Sequence, residues 1–528
     1  MSKQWKIILF TVSALLLLCM LAYPFGYDQS VFSVGGEMSI KHGAVTYRDF
    51  LDTKPPLVFT IYGISSVVFG HHEWSPRALD ILFHIVTLFY FYRILRRTLR
   101  DERVALFSVV LYALFYATSG FWMTAQAETF ALLPSLWIFS LSERTAGGAN
   151  PLRNGILAGV ATLFLFLLKF TLVTVAAASI VYLFIARPQL KFGLILRYIG
   201  GLVLGFAASA GLYIFYLYST GAATRFFESI EWLRGYAAVT PFFTIYFFSE
   251  YIFRIFPGGV LQTFWSFTVF LAILGIWNIS YKKDSTTGTQ HHLLLQIGFG
   301  LLGIISERKF FPYHYSRLYW CVIPFIAIGA PIVWRRAVEY FSFVKDLNGF
   351  PKTIRLILFS LTCAAAIFFS PMTRIFSNCL YWPYIRMSGK NVGEAVASKF
   401  GQTFYQDQDN AAMLIHTALE PNDNIFLWGN SVGLYYRLER YPSTICLTNT
   451  PFVTAWTPKN WKDTLLRQLQ SAPPRFFITE TGDARAYITG DSFDSEQHLE
   501  QWSELNAFVR SNYHDWKTIG HFVIHEKN

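Results

Sequence analysis

Asp28 follows an apolar run directly, in Tyr27-Asp28-Gln29-Ser30, and Asp49, Asp52 and Lys54 follow in the segment Tyr47 to Leu57, which reads YRDFLDTKPPL. A carboxylate at the mouth of a membrane-length segment is partly desolvated yet still reaches water, which suits a general base. The plain alternative is a helix-end carboxylate that faces lipid headgroups, and the company Asp28 keeps argues against it. Glu128 stands at the start of another apolar segment, and Lys169 interrupts LFLFLLKFTLVTV. An ammonium between two apolar runs needs an anion or a helix end open to water, unless it snorkels from a tight turn. A third group, SERKFFPYHYSRLYW, brings Glu307, Arg308, Lys309, Tyr313, His314, Tyr315 and Arg317 together. Its aromatics alone would be an interfacial belt. With so many cations among them, they could hold a phosphate through charge-assisted hydrogen bonds. The stretch Ser219 to Pro257, with Arg225, Glu231, Trp232, Arg234 and Tyr236, has a similar but less specific mixture and reads equally well as a lipid-facing lid. There is no zinc-type Cys/His spacing, no phosphate-cradling glycine loop ending in Lys-Ser/Thr and no nucleophile elbow, which argues against ATP-powered chemistry.

The elements that must position these residues are membrane helices. Of 528 residues, 53% are hydrophobic and 15% charged, too apolar a surface for an ordinary soluble protein. Ile7 to Phe25 is uncharged and membrane-length, and with no small-x-small cleavage site after it, it reads as an uncleaved anchor. The net charge of +11 does not indicate a nucleic-acid partner, because Lys and Arg cluster between apolar segments, as the positive-inside rule requires. Cys19, Cys321 and Cys363 read as small core residues, while Cys379 and Cys446 could pair in an oxidising compartment.

Charge also decides the threading. With Met1 to Lys6 cytoplasmic, a crossing by Pro55 to Gly70 would put Arg93, Arg96, Arg97, Arg100 and Arg103 outside. That segment therefore reads as an interfacial or half-inserted helix, and the second crossing runs from Ser75 to Tyr92. Further spans near 104–119, 127–142, 154–168, 170–186, 193–218, 258–280, 291–306, 317–334 and 354–371 make about eleven in all. Inner loops then hold Arg144 and Arg153; Arg187, Lys191 and Arg197; Lys282 and Lys283; Arg335 and Arg336; Lys345, Lys352 and Arg355. The outer face receives residues 26–76, 120–128, 219–257 and everything after about 370. Residues 1–371 form a polytopic α-helical membrane unit in this reading, and residues 372–528 a soluble α/β domain. The tail should carry strands at NDNIFLWGN, RFFITE and WKTIGHFVIHEKN, with helices over Val392 to Phe400, Ala411 to Leu419, Lys459 to Leu469 and Ser495 to Val509. It has no cluster of catalytic type and reads as an accessory part for stability or acceptor docking.

Taken together, Asp28 after the first span, the run G-x-x-x-Y-R-D-F-x-D-x-K-P-P-L from Gly43 to Leu57, Glu128, Lys169, Phe311-Pro312-Tyr313-His314-Tyr315 and the α/β tail resemble the bacterial GT-C glycosyltransferases. More narrowly, they resemble the branch related to protein O-mannosyltransferases and aminoarabinose transferases. The resemblance covers most of residues 1–371 and, more loosely, the tail, with YRDFLDTKPPL its specific part. It implies a GT-C fold in the bacterial cytoplasmic (inner) membrane and transfer of a sugar from a polyprenyl-phosphate carrier to a glycan, lipid or protein acceptor on the outer side, with inversion. It further implies that Asp28 is the base and that Lys54 and Lys169 face the carrier phosphate, with His314, Tyr315 and Arg317 nearby. Asp49, Asp52 and Glu128 become supporting or acceptor-side acids, and the helix from Pro55 covers the site. One departure is that relatives carry Asp-Glu where this chain has Asp28-Gln29. An amide is a poorer cation ligand than a carboxylate, which weakens the carry-over of a divalent metal and leaves Asp49 or Glu128 to supply the missing charge. The rival from another class is a transporter or lipid-linked glycan flippase, whose charges would line a path at the midplane. Here they gather on one side and no half of the chain repeats. A ligase or acyltransferase using the same outer cleft is a third possibility.

Overall fold

The computed structural model describes residues 2–185, 191–239, 263–281, 287–345, 351–368 and 375–528. The expectations for Arg187, for Lys282 and Lys283, for residues 240–257 and for the junction near 371 lie outside the described residues, as do the side chains of Lys345, Lys352, Arg355 and Cys363.

Among the described residues, five helical stretches are long and apolar enough to cross a membrane: Lys3–Ala22, Ser75–Thr98, Pro151–Leu168, Phe192–Ser219 and Pro312–Tyr340. Leu57–Phe69, Phe170–Ile185 and Thr268–Asn278 are shorter apolar helices. Leu212 and Phe215 on the Phe192–Ser219 helix are 73% and 72% exposed. An apolar side chain tolerates that exposure in hydrocarbon, and outer faces of this kind make the chain an integral membrane protein. Arg96 and Arg97 close the last turn of the Ser75–Thr98 helix, where the helix dipole favours cations.

The helices approach closely where glycines face each other. Gly155 and Gly159 meet Gly201 and Gly205, and a Cβ on Gly155 would lie 2.1 Å from the Tyr198 carbonyl oxygen. Small residues allow such contact between membrane helices, and dispersion replaces the missing hydrophobic drive. The same device joins Tyr27–Lys41 to Leu57–Phe69: a Cβ on Gly63 would sit 2.3 Å from the carbonyl oxygen of Gly36. The Leu57–Phe69 helix falls where the sequence places one. The Tyr27–Lys41 helix does not, since the sequence reads that stretch as part of an outer loop.

Two expected spans are reshaped. The one near 127–142 is a short turn, Ala127–Phe130, followed by Leu132–Ala146. The one near 317–334 continues as Tyr319–Lys345, with Pro324 and Pro331 inside it.

Beyond residue 375 a four-stranded sheet is built from β1 (Ile425–Trp428), β2 (Phe476–Glu480), β3 (Tyr513–Ile519) and β4 (Phe522–Lys527), in the order β1-β2-β4-β3. β1 pairs with β2 in parallel, and a crossover through the Lys459–Ser471 helix joins them, while the other pairs are antiparallel. Every residue of β1 and β2 is buried, as expected of strands covered on both faces. The strands fall at the expected motifs, and the expected helix over Ser495 to Val509 divides into Ser495–Gln501 and Ser503–Asn512. Cys379 and Cys446 are both free thiols, which corrects the pairing the sequence left open.

The sheet unit is docked firmly onto the membrane helices. The Leu51 amide donates to the Ile445 carbonyl at 2.8 Å, Trp461 Nε1 donates to Glu228 at 2.6 Å, and Trp232 Nε1 donates to Thr454 at 3.0 Å.

Candidate active site

Asp28 is the second residue of the Tyr27–Lys41 helix, where the positive end of the helix dipole favours a carboxylate. Gln29 staples this helix start in place. Its amide oxygen accepts the Gly26 N–H at 3.0 Å, and its amide nitrogen donates to the carbonyls of Phe121, Trp122 and Thr124 at 3.2, 3.3 and 2.8 Å. Arg77, fully buried, donates to the Phe121 and Thr124 carbonyls at 2.8 and 2.7 Å from the opposite side. The segment 121–126 is thus held at several points, and Ala125 is kept at a positive φ of 55°. Its amide donates to the Tyr116 hydroxyl at 2.8 Å, and its carbonyl accepts from the Tyr62 hydroxyl at 2.6 Å. A strained, non-glycine conformation persists only where neighbours over-determine it. Its effect is to aim Gln126, whose Nε2 donates to Asp28 Oδ2 at 3.1 Å.

The other oxygen of Asp28 accepts from Lys54 Nζ at 2.9 Å. Lys54 is delivered by a tight loop in which Tyr47 adopts φ 72° and its hydroxyl donates to the Lys54 carbonyl at 2.9 Å. Asp52 accepts the Lys54 N–H at 2.8 Å. Pro55 and Pro56 then force the chain into the start of Leu57–Phe69. Burial pushes the Asp28 carboxyl up, but the Lys54 charge, its hydrogen bond and the one from Gln126 outweigh this and hold it below the ordinary carboxylate range. Burial likewise raises Asp52, and here the nearby Lys54 charge does not overcome it.

A second cluster lies beside the first. Lys169 ends the Pro151–Leu168 helix in extended conformation, and its Nζ sits 2.6 Å from Glu128 and 2.7 Å from Glu307. Arg317 Nη2 contacts the same two carboxylates at 3.0 and 2.7 Å, Thr171 hydrogen-bonds Glu307, and His314 Nδ1 lies 2.9 Å from Glu307. The anion that Lys169 requires is therefore Glu128 together with Glu307. Glu128, Glu307 and His314 offer ligand atoms within 4.8 Å of one another. Both carboxylates are nevertheless already in contact with an ammonium and a guanidinium, so a divalent ion would be placed among fixed cations. The donor set does not fit a metal.

Both clusters border one cavity of about 980 Å³. Asp28, Lys54, Lys169 and His314 line it on the membrane side, Trp232 and Tyr236 of the Ala223–Ala238 helix form another wall, and Asp52 is also at its edge. Several residues the sequence singled out lie elsewhere. Tyr315 packs against the apolar core, and Tyr313 takes the cavity position instead. Arg317 and Glu128 border a separate small void behind Lys169. Asp49 is tied to Arg48 at 2.7 Å and to the Val45 amide at 2.7 Å, away from the cavity. In the other direction, the tail contributes Thr450, Arg485 and Tyr487 to the lining, although the sequence assigned it no part in the site. Arg485 stacks its guanidinium over the Tyr27 ring at 4.1 Å. Gln126 and Arg485 carried no sequence signal, because neither lies in a patterned segment.

Residues 53–215 match the protein family described as dolichyl-phosphate-mannose-protein mannosyltransferase. Over 99% of this chain and 98% of the other, the fold superposes with a TM-score of 0.58, at 10% identity, on the crystal structure of ArnT from Cupriavidus metallidurans bound to undecaprenyl phosphate. The fold is an ArnT-like GT-C fold. A looser likeness extends to the archaeal oligosaccharyltransferase AglB from Archaeoglobus fulgidus, in complex with an inhibitory peptide and a dolichol-phosphate. There the TM-score is 0.44 and the identity 11%, over 100% of this chain and 74% of that one. No curated protein matches the sequence. The segment matched to the mannosyltransferase family includes Lys54, Glu128 and Lys169, and it begins beyond Asp28.

Proposed function

We propose that this protein is a membrane glycosyltransferase that moves a sugar from a polyprenyl-phosphate carrier to an acceptor hydroxyl on the outer side of the bacterial inner membrane, with inversion at the anomeric carbon. The observation that carries this reading is the Asp28–Lys54 pair, 2.9 Å apart in the wall of a cavity of about 980 Å³. A base and a cation for the leaving group stand side by side there. The undecaprenyl phosphate bound by ArnT, which shares the fold, and the family match over residues 53–215 support a phosphate-linked lipid donor. In the proposed membrane arrangement the N-terminus is cytoplasmic, the chain crosses about eleven times, and residues 372–528 lie outside.

In the free protein Lys54 neutralises Asp28. The carrier phosphate competes for the Lys54 ammonium and draws it off the carboxylate. Asp28 then accepts the proton of the acceptor hydroxyl as the acceptor oxygen bonds to the anomeric carbon. The bond from that carbon to the phosphate oxygen breaks, and its electron pair leaves on the phosphate. The phosphate gains charge in this step, and fixed cations in a water-poor site stabilise it, with Lys54 and Lys169 placed to do so. Arg317 and Glu128 hold Lys169 from behind, and His314 borders the donor side. Glycan, lipid and protein hydroxyls are all chemically competent acceptors.

The test uses purified protein with a panel of synthetic polyprenyl-phosphate sugars and an acceptor extract, scoring free polyprenyl phosphate. The parent should release it from one donor and Asp28→Asn should not, while remaining folded and membrane-inserted. Normal release by Asp28→Asn would remove Asp28 from the mechanism. Transport of the sugar-lipid without release would favour a flippase instead.

A further inference from the structure

Two cations in the membrane-side wall of the cavity are paired with carboxylates. Lys54 is paired with Asp28 at 2.9 Å, and Lys169 with Glu128 and Glu307 at 2.6 and 2.7 Å. Arg485 differs from both. Among the described residues its guanidinium has no hydrogen-bond acceptor and no carboxylate in salt-bridge contact, and its one close partner is the face of Tyr27 at 4.1 Å. It is half-buried and lines the same cavity as Asp28 and Lys54. The acids nearest to it in sequence and space are engaged elsewhere. Glu480 accepts from the Asn430 and Ser431 amides at 2.6 and 2.8 Å, and Asp483 accepts from Asn430 Nδ2 at 2.8 Å and from Ser495.

A guanidinium carries five donors in a planar fork that matches two phosphate oxygens at once. The contact with Tyr27 restrains that fork in the cavity wall. Tyr27 immediately precedes Asp28, so the stack also ties the tail to the first turn of the helix that bears the proposed base.

We infer that Arg485, supplied by the C-terminal part of the chain, is a binding residue for the phosphate of the lipid carrier. It adds a guanidinium with no carboxylate partner to a cavity wall in which Lys54 and Lys169 are both paired with acids. This inference rests on the proposed polyprenyl-phosphate reading and makes the tail part of the donor site rather than an accessory to it.

The experiment measures binding of polyprenyl phosphate and of uncharged polyprenol of the same length to the full chain in detergent. Parent, Arg485→Ala, Arg485→Gln and Arg485→Lys are compared. The parent should prefer the phosphate. Arg485→Ala and Arg485→Gln should weaken phosphate binding roughly 10- to 100-fold while leaving polyprenol binding unchanged. Arg485→Lys should recover part of the loss. If the two lipids weaken equally, Arg485 serves only to pack on Tyr27 and the inference is overturned. Unchanged phosphate binding in the variants overturns it as well. A parent that does not distinguish the two lipids overturns the carrier reading itself, which separates the two failures. Should the alanine variant fail to fold, the glutamine and lysine variants carry the same comparison.

Discussion

Asp28 has two polar partners, and they set its protonation. Lys54 and Gln126 donate to its two oxygens at 2.9 and 3.1 Å, and together they hold the carboxyl below its ordinary range despite burial. Asp28 is therefore ionised in the resting protein throughout the ordinary carboxylate range, and as the proposed base it should set the acidic limb of kcat/KM below that range. Lys54→Met removes the charge and one hydrogen bond, so burial becomes the dominant influence and the carboxyl rises. The acidic limb should then move to higher pH, whatever happens to the plateau. A limb that stays in place would show that another group sets it. The folding contribution has a defined sign as well. With the folded value depressed, the pair stabilises the protein above the unfolded Asp value and ceases to do so as pH falls through the folded one. That Asp28 and Lys54 belong together was legible in the sequence, because both are charged and lie close to one apolar segment. Gln126 and Arg485 were not, since an amide in an unpatterned loop and an arginine in a polar tail acquire meaning only through tertiary contact.

At the scale of elements, the site depends on a helix that the sequence does not announce. Tyr27–Lys41 carries two adjacent glycines and mixed polarity, so neither propensity nor a clean apolar stripe marks it. The glycines are there for the contact with Leu57–Phe69, and that contact sets the distance between Asp28 and the loop bearing Lys54. By contrast, Leu57–Phe69 was readable from its uncharged run after Pro55-Pro56, and most of Pro151–Leu168 from the apolar run near 154–168. Gly63→Ala tests the contact. Its methyl carbon would meet the Gly36 carbonyl oxygen at 2.3 Å, backbone that cannot swing aside. Separation of the helices should cost about 1–3 kcal/mol and lower the melting temperature in detergent. Turnover should fall with it, as Asp28 and Lys54 move apart. Gly211→Ala is the control, because nothing lies within 4 Å of a Cβ there, and it should melt and turn over like the parent.

At the scale of the whole molecule, the cavity is walled by both the membrane helices and the sheet unit, so its integrity depends on their docking. One specific docking contact lies clear of the cavity. Glu228 on the Ala223–Ala238 helix accepts Trp461 Nε1 at 2.6 Å and Asn460 Nδ2 at 2.9 Å, and neither Glu228 nor Trp461 lines the cavity. Glu228→Ala leaves the indole N–H of the buried Trp461 without its acceptor, at a cost of about 1–3 kcal/mol. If the tail completes the donor site, loosened docking should reach the chemistry without touching a cavity residue. Amide exchange should rise at Leu51, whose N–H is held by Ile445, while the Phe192–Ser219 helix keeps its protection. Donor turnover should drop in step with that exchange. Faster exchange at Leu51 with unchanged turnover would mean that the sheet unit only covers the cavity, and that the helices form a working site by themselves.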